Sequence, residues 1–256
     1  MIVTTESIVL RSRKQGDTSK IVSLYTLDFG LVDVIAKGAR EMKSKFGSSL
    51  EPFTCAKVSF YKKDGRDLYL LAKAETALPL RNLRADLDYI EAATKVVELL
   101  LRSQHHEECH PDLYKLVKET LVTMDSCKES IGVCSVLFTY YLQYIHFAGF
   151  KMQLNQESNG ASGSWYFDIE KGEVVDIQSS SDMHSERLQR LTPEVLGSLR
   201  HLERAGITSA ASLKLSPQAR HTLDQLFRSY FNIHIEGMQQ NRSKSGRVFS
   251  AIQPQK

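Results

Sequence analysis

This 256-residue chain has one tryptophan, six prolines and no run of apolar residues approaching twenty. The last absence excludes a conventional membrane-spanning helix. The opening Met1-Ile2-Val3-Thr4-Thr5-Glu6 lacks the basic stretch and apolar core of a secretion signal, so cytoplasmic residence is the expectation. Cysteine is sparse: Cys55, Cys109, Cys127 and Cys134 are scattered and form no C-x-x-C pair. That removes the usual mark of a zinc ribbon or a thioredoxin-like site and leaves four free thiols as the reading. No Walker loop, dinucleotide fingerprint or G-x-S-x-G elbow is present. The short acidic pairs Asp64/Asp67 and Asp86/Asp88 lack the context of a nuclease or polymerase site. The chain is therefore read as a non-enzyme without a cofactor.

The cluster His105-His106-Glu107-Glu108-Cys109-His110 carries metal-ligand side chains, with His106 and His110 four residues apart. No separated partner set completes a zinc pattern, and Pro111 follows directly. The cluster is read as a polar loop between helices, not as a metalloprotease motif.

What is present is an uneven charge. Residues 1–79 hold 13 basic and 9 acidic residues, residues 80–150 hold 7 and 10, and residues 151–256 hold 13 and 11. The positive excess gathers at the N-terminus, where it suits a polyanion.

The same N-terminal stretch reads as β structure. Ile2 to Arg11, Ser19 to Leu27, Leu31 to Ala36, Cys55 to Tyr61 and Leu68 to Ala74 are rich in β-branched and aromatic residues. Asp28-Phe29-Gly30 and the segment Lys62-Lys63-Asp64-Gly65-Arg66 supply turns. Five such strands suit a small OB-like barrel, which protects strand edges, with an SH3-like barrel as competitor. After Pro79 the period changes to helical: Leu83, Leu87, Ile90, Val97 and Leu101 share a face, and Asp112 and Ser130 open two further helices. Asn155 to Ser164, with Gly160 and Gly163, reads as an exposed loop. Trp165 to Ile169 and Val174 to Ile177 read as a hairpin around Lys171-Gly172-Glu173. Helices resume at Thr192-Pro193-Glu194 and Ser216-Pro217, and Gly237 ends the last before a tail with Arg242, Lys244 and Arg247. The expected fold class is thus α+β: a barrel domain over 1–79 and a mainly helical domain over 80–256, with a β insert at about 151–181.

Within the barrel the clearest surface candidate is Lys37-Gly38-Ala39-Arg40-Glu41-Met42-Lys43-Ser44-Lys45, with four bases against one acid. On a loop, Lys37, Arg40, Lys43 and Lys45 would reach phosphates without demanding a base sequence. Arg11, Arg13, Lys14 and Lys20 form a second basic group, and barrel closure would set both groups beside one groove. Tyr25, Phe29, Phe46, Phe60, Tyr61 and Tyr69 are the aromatics available for base stacking. Most belong in the core, and Phe46 is singled out as the loop residue.

Residues Ile8 to Val22 resemble the opening of the bacterial RecO family of recombination mediators. So do Phe29-Gly30-Leu31, Ala36-Lys37-Gly38-Ala39-Arg40, Lys43-Ser44-Lys45-Phe46-Gly47, Leu50-Glu51-Pro52-Phe53 and Ala74-Glu75. The tail Arg242-Ser243-Lys244-Ser245-Gly246-Arg247 is compatible with the same family. The resemblance implies an N-terminal OB fold followed by a helical domain. It implies binding of single- and double-stranded DNA, strand annealing, and recombinase loading with RecR on DNA coated by the single-stranded DNA-binding protein SSB, with association to the nucleoid during repair. By position, Arg11, Arg13, Lys14, Lys20, Lys37, Arg40, Lys43 and Lys45 are the DNA-binding candidates. It further implies a groove in the helical part for the acidic, apolar C-terminal tail of SSB, for which Arg102, Lys115 and Lys118 are candidates. Many relatives carry four zinc-binding cysteines after the central helices. Residues 151–181 contain neither cysteine nor histidine, so this chain is expected to be a variant without that site, its β excursion held by packing. The competing readings are an adaptor joining SSB to RecR with little DNA contact, an enzyme of another class, and a barrel protein without DNA affinity.

Overall fold

The computed structural model describes residues 1–63, 65–155, 165–176 and 187–235. Asp64, most of the predicted loop before Ser164, Ile177, Gly237 and the basic tail lie outside the described residues. The chain divides into two compact units: Met1–Tyr140 with Gly206–Lys214, and Tyr141–Ala205 with Leu215–Lys256.

In the first unit, five strands close a barrel: β1 (Ile2–Gln15), β2 (Ser19–Thr26), β3 (Gly30–Ala36), β4 (Cys55–Tyr61) and β5 (Leu68–Leu78). The order is β1-β2-β3-β5-β4, closed by β1 against β4. All pairings are antiparallel except β3 with β5. This five-stranded closure is OB-like and removes the SH3-like alternative. β1 serves two partners: Ile2 to Ile8 pair with β4 and Ser7 to Gln15 with β2, overlapping at Ser7 and Ile8, and its register against β2 shifts between Val9 and Arg11.

Val9, Val22, Leu24, Val32, Val34, Val58, Phe60, Tyr69 and Leu71 fill the interior. Phe46 joins them at 2% exposure, so the residue expected to stack on bases from a loop is instead a plug in the barrel core. An aromatic ring among apolar neighbours gains a few kcal/mol by leaving water, and the short 3-10 turn Gly47–Leu50 carries it inward.

Arg84 links barrel and helices, donating to the carbonyls of Pro52 at 2.7 Å and Pro79 at 2.6 Å. α1 (Leu87–Ser103) is capped by Asp86, whose carboxylate accepts from the Asp88 amide. α2 (Pro111–Ser126) begins on proline, which needs no amide partner there. α3 (Ser130–Phe147) begins in this unit, whose first segment ends at Tyr140, and α5 (Ile207–Ala210) completes the unit.

In the second unit β6 (Trp165–Asp168), β7 (Glu173–Asp176) and β8 (Leu188–Leu191) form a sheet ordered β7-β6-β8. The sequence pattern anticipates the first two strands and misses β8, whose Leu-Gln-Arg-Leu has none of the β-branched or aromatic residues that mark the equally short β6 and β7. α4 (Pro193–Arg204) is capped by Thr192 and α6 (Pro217–His234) by Ser216. Apolar packing backs the sheet: Phe167 and Val174 are fully buried, and Phe167 meets the ring of Tyr230 at 6.2 Å. Gly172, at φ +70°, turns the hairpin with the Tyr230 ring 3.3 Å from where a β-carbon would stand.

Candidate nucleic-acid interface

Of the eight predicted cations, Lys14 and Lys20 sit at the β1–β2 hairpin end, Lys37, Arg40, Lys43 and Lys45 on the loop after β3, and Arg11 and Arg13 further along β1. Lys14 and Lys20 are cross-strand partners, and Lys20 also faces Ala36 of β3. Ser12 pairs with the buried Val22, so the alternation of β1 places Lys14 on the inward row, continued to the barrel mouth. Like charges directly opposite repel. Here Glu51 relieves the pair, its carboxylate lying 3.3 Å from the Lys20 ammonium. Arg11 and Arg13 occupy the alternate positions and project from the outer face, exposed.

The loop from Lys37 to Lys45 is fastened to the β1–β2 turn. The Arg40 amide donates to the carbonyl of Thr18 at 2.9 Å, and its guanidinium to the carbonyl of Gly16 at 2.8 Å. Gly38 makes the sharp entry at φ +71°. Lys45 donates to the carbonyl of Ala72 at 2.9 Å and lies over the Phe46 ring. The structure therefore joins the loop to the hairpin and gives the cations different duties. The side chains of Arg40, Lys20 and Lys45 have protein partners, whereas those of Lys14, Lys37 and Lys43 are exposed and enter no hydrogen bond or ion pair among the described residues. Arg11 and Arg13 likewise have none.

In OB folds the faces of strands 2 and 3, with the loops between strands 1 and 2 and between 4 and 5, take up oligonucleotides. In this chain much of the corresponding outer face is covered internally. Tyr25 is fully buried against the Tyr114 ring of α2, and Ser23 and Leu31 are buried as well. The cover includes residues 104–110, the predicted polar loop, which act as a strap on β3. His106 forms a parallel bridge to Leu31, the Glu107 amide donates to the Leu31 carbonyl at 2.9 Å, and the Cys109 thiol reaches the Leu27 carbonyl.

Residues His106 to His110 do satisfy the H-E-x-x-H spacing. Conformation, not spacing, disqualifies them: the motif needs a helix to place both histidines on one face, and this segment is extended and turned. Glu107 sits at φ +62°, a left-handed conformation costing a side-chain-bearing residue about 1–3 kcal/mol. Its carboxylate accepts from the Lys62 ammonium at 2.7 Å and from the Tyr69 hydroxyl. These donors, Lys62 first, hold the Glu107 carboxyl below its ordinary value, and Glu107 in turn raises the Lys62 ammonium. Among the described residues no group of three or more histidine, cysteine or acidic side chains is placed to hold a metal.

Of the candidate aromatics, Tyr25, Phe46, Phe60 and Tyr69 are buried and Phe29 is half-buried. Tyr61 alone among the six is open to solvent, at 52% exposure. Of the candidates for a tail-binding groove, Arg102 pairs with Glu98, Lys115 with Asp112 and Lys118 with Glu6.

Known proteins share this pattern along nearly the whole chain. Residues 1–79 match the family described as Recombination protein O N terminal, and residues 84–244 match Recombination protein O C terminal. DNA repair protein RecO of Alkaliphilus metalliredigens is 28% identical over 240 residues, covering 92% of this chain and 95% of that protein. DNA repair protein RecO of Salinibacter ruber is 28% identical over 247 residues, with 95% and 92% covered. DNA repair protein RecO of Rubrobacter xylanophilus is 42% identical over a shorter stretch of 96 residues, 38% of each chain. With one match spanning the barrel and the other most of the chain beyond it, the protein belongs to the Recombination protein O family.

Proposed function

We propose that this protein is a non-enzymatic mediator of DNA repair and recombination that binds single- and double-stranded DNA at the barrel mouth. The observation that carries the reading is the fastening of the basic loop to the basic hairpin through Arg40. It makes two separate patches into one surface that can track phosphates without reading bases. The same surface would reduce the repulsion between two complementary strands and so promote annealing. Family membership supports partnership with RecR in loading recombinase on SSB-coated DNA, and a site for the SSB C-terminal tail in the helical part. The protein acts in the cytoplasm, on the nucleoid during repair, and needs no metal.

The test is annealing of complementary oligonucleotides, bare and coated with SSB, with and without RecR. Annealing of both substrates, weakened by added salt, is expected. Recruitment of RecR to SSB-coated strands without binding of bare DNA would replace this reading with that of an adaptor.

A further inference from the structure

The turn between β4 and β5 is the second loop through which OB barrels commonly hold nucleic acid, and here it carries Lys62, Lys63 and Arg66. A cleft of about 180 Å³ opens beside it, lined by Val32, Gly65, Arg66, Asp67, Tyr69, His106 and Glu107. Two donors, Tyr69 in the lining and Lys62 on the turn beside it, are already engaged by Glu107. One carboxylate oxygen of Glu107 takes the Lys62 ammonium at 2.7 Å, and the other takes the Tyr69 hydroxyl. The ammonium also donates to the Tyr69 hydroxyl at 3.3 Å and lies 5.9 Å from the Phe29 ring centre.

An ammonium and a phenol gripping the two oxygens of one anion is also the arrangement that suits the two non-bridging oxygens of a phosphodiester. Glu107 reaches this place from outside the barrel, on a strap pinned to β3 by the Glu107 amide and the His106 bridge. Its left-handed backbone shows that the strap, and not local preference, aims the carboxylate. The Glu107 side chain is 41% exposed and that of Lys62 21%, so the pair is within reach of water and a competing anion. Arg66 stands at the same cleft, exposed and without an ion pair among the described residues.

We propose that Lys62, Arg66 and the Tyr69 hydroxyl form a backbone-phosphate subsite for single-stranded nucleic acid, kept filled by the protein's own Glu107 until a strand displaces it. The proposal rests on the reading that the barrel binds DNA. It adds a site at the β4–β5 turn, apart from the loop–hairpin surface, and an internal competitor that holds affinity down.

The experiment measures fluorescence anisotropy of a labelled thymidine 30-mer with the full chain across a salt titration. Glu107→Gln is expected to bind roughly fivefold tighter, with the logarithmic salt slope steeper by about 0.7, the value of one added single-strand phosphate contact. Glu108→Gln removes the neighbouring negative charge without touching Lys62 and is expected to change affinity less than twofold. Glu107→Asp keeps the charge but shortens the reach, and is expected to give part of the gain. Adding Lys62→Gln to Glu107→Gln should abolish it. Equal tightening by Glu107→Gln and Glu108→Gln, or a gain that survives loss of Lys62, would overturn the subsite while leaving DNA binding at the mouth intact. Failure of the wild type and every variant to bind would overturn both. Thermal melting of each variant separates lost folding from altered binding, and Glu107→Asp carries the test if Glu107→Gln does not fold.

Discussion

The guanidinium of Arg40 and the carbonyl of Gly16 meet at 2.8 Å across two loops that are 24 residues apart in the chain. This contact gives Arg40 a structural duty that Lys37 and Lys43 do not share, although all three lie in one run of basic sequence. Replacing Lys37 and Lys43 together by glutamine should therefore weaken DNA binding at unchanged stability. The salt slope should fall by about 1.4 on single strands and about 1.8 on duplex, for two lost phosphate contacts. Arg40→Gln should weaken binding and also cost about 1 kcal/mol of stability, since the carbonyl of Gly16 loses a charged donor. Parallel salt titrations and urea melts separate the two classes. Equal melts with unequal binding for all three positions would show that the Arg40 contact carries no stability.

Gly30 opens β3 at φ +60°, and the carbonyl of Glu108 occupies the space where a β-carbon would stand. Gly30→Ala thus meets a disfavoured backbone and a backbone clash together, and roughly 2–6 kcal/mol of destabilisation is expected. Gly16, at φ +59° with open space around it, meets only the first penalty. Gly16→Ala should cost about 1 kcal/mol. Urea midpoints of the two variants test the ranking, and equal losses would mean that the strap moves aside freely.

The barrel was legible because its signals are local and repeated: alternating apolar residues, glycine turns and a basic loop between strands. The role of Phe46 was not, because a polar, glycine-flanked setting reads as solvent while its burial depends on how the barrel closes around it. β8 was hidden by its composition, since Leu-Gln-Arg-Leu lacks the aromatic and β-branched residues of the equally short β6 and β7, and only its pairing with β6 makes it a strand. For the candidate site, sequence placed the cations but not their duties. Nothing in the run Lys37 to Lys45 distinguishes Arg40, whose partner is Gly16, from Lys43, which has none among the described residues. The Lys62–Glu107 contact joins residues 45 positions apart, and no periodicity carries that information. A charged residue next to a predicted turn of the barrel, facing an acid in a non-helical linker, was the only available hint.

Two carboxylates contribute to the pH dependence of folding. Glu6, held by Lys118 at 2.7 Å, and Glu107, held by Lys62, are both depressed below 4.5 in the folded protein. A depressed acid stabilises the fold above its unfolded value and loses that contribution as pH falls through the folded one. Stability should therefore decline from about pH 4.5 downward. Both side chains are substantially exposed, so each contribution is below about 1 kcal/mol after screening. Lys62, raised above 10.5, acts in the opposite direction: its contribution is full below 10.5 and is lost as pH rises further. Denaturant midpoints of Glu6→Gln/Glu107→Gln should show a flatter acid limb than the wild type, and an unchanged limb would assign acid sensitivity to other carboxyls.

Thiol chemistry should separate the cysteines by burial. Cys55 lies in the wall of the barrel, and burial pushes its thiol up to about 11, while Cys109 is exposed on the strap. Because the thiolate is the reactive form, Cys109 should label within minutes at neutral pH and Cys55 only on unfolding. Mass mapping of partially labelled protein reads this directly, and early labelling of Cys55 would mean that β4 opens without global unfolding.

The three-stranded sheet of the second unit tests whether packing has taken over from a metal. Its strands are held by Phe167, fully buried against Tyr230, and by the bond between His234 Nε2 and the Ile169 carbonyl at 2.7 Å. With His234 committed to a backbone carbonyl, this segment has no imidazole placed for a metal among the described residues, and residues 151–181 contain no cysteine or histidine. A chelator should leave the melting temperature unchanged, and elemental analysis of untagged protein should find zinc far below one per chain. Phe167→Ala should cost about 3–5 kcal/mol, as expected for an aromatic removed from a packed interior. Stoichiometric zinc together with a chelator-induced fall in melting temperature would show that metal, and not the Phe167–Tyr230 contact, holds this region.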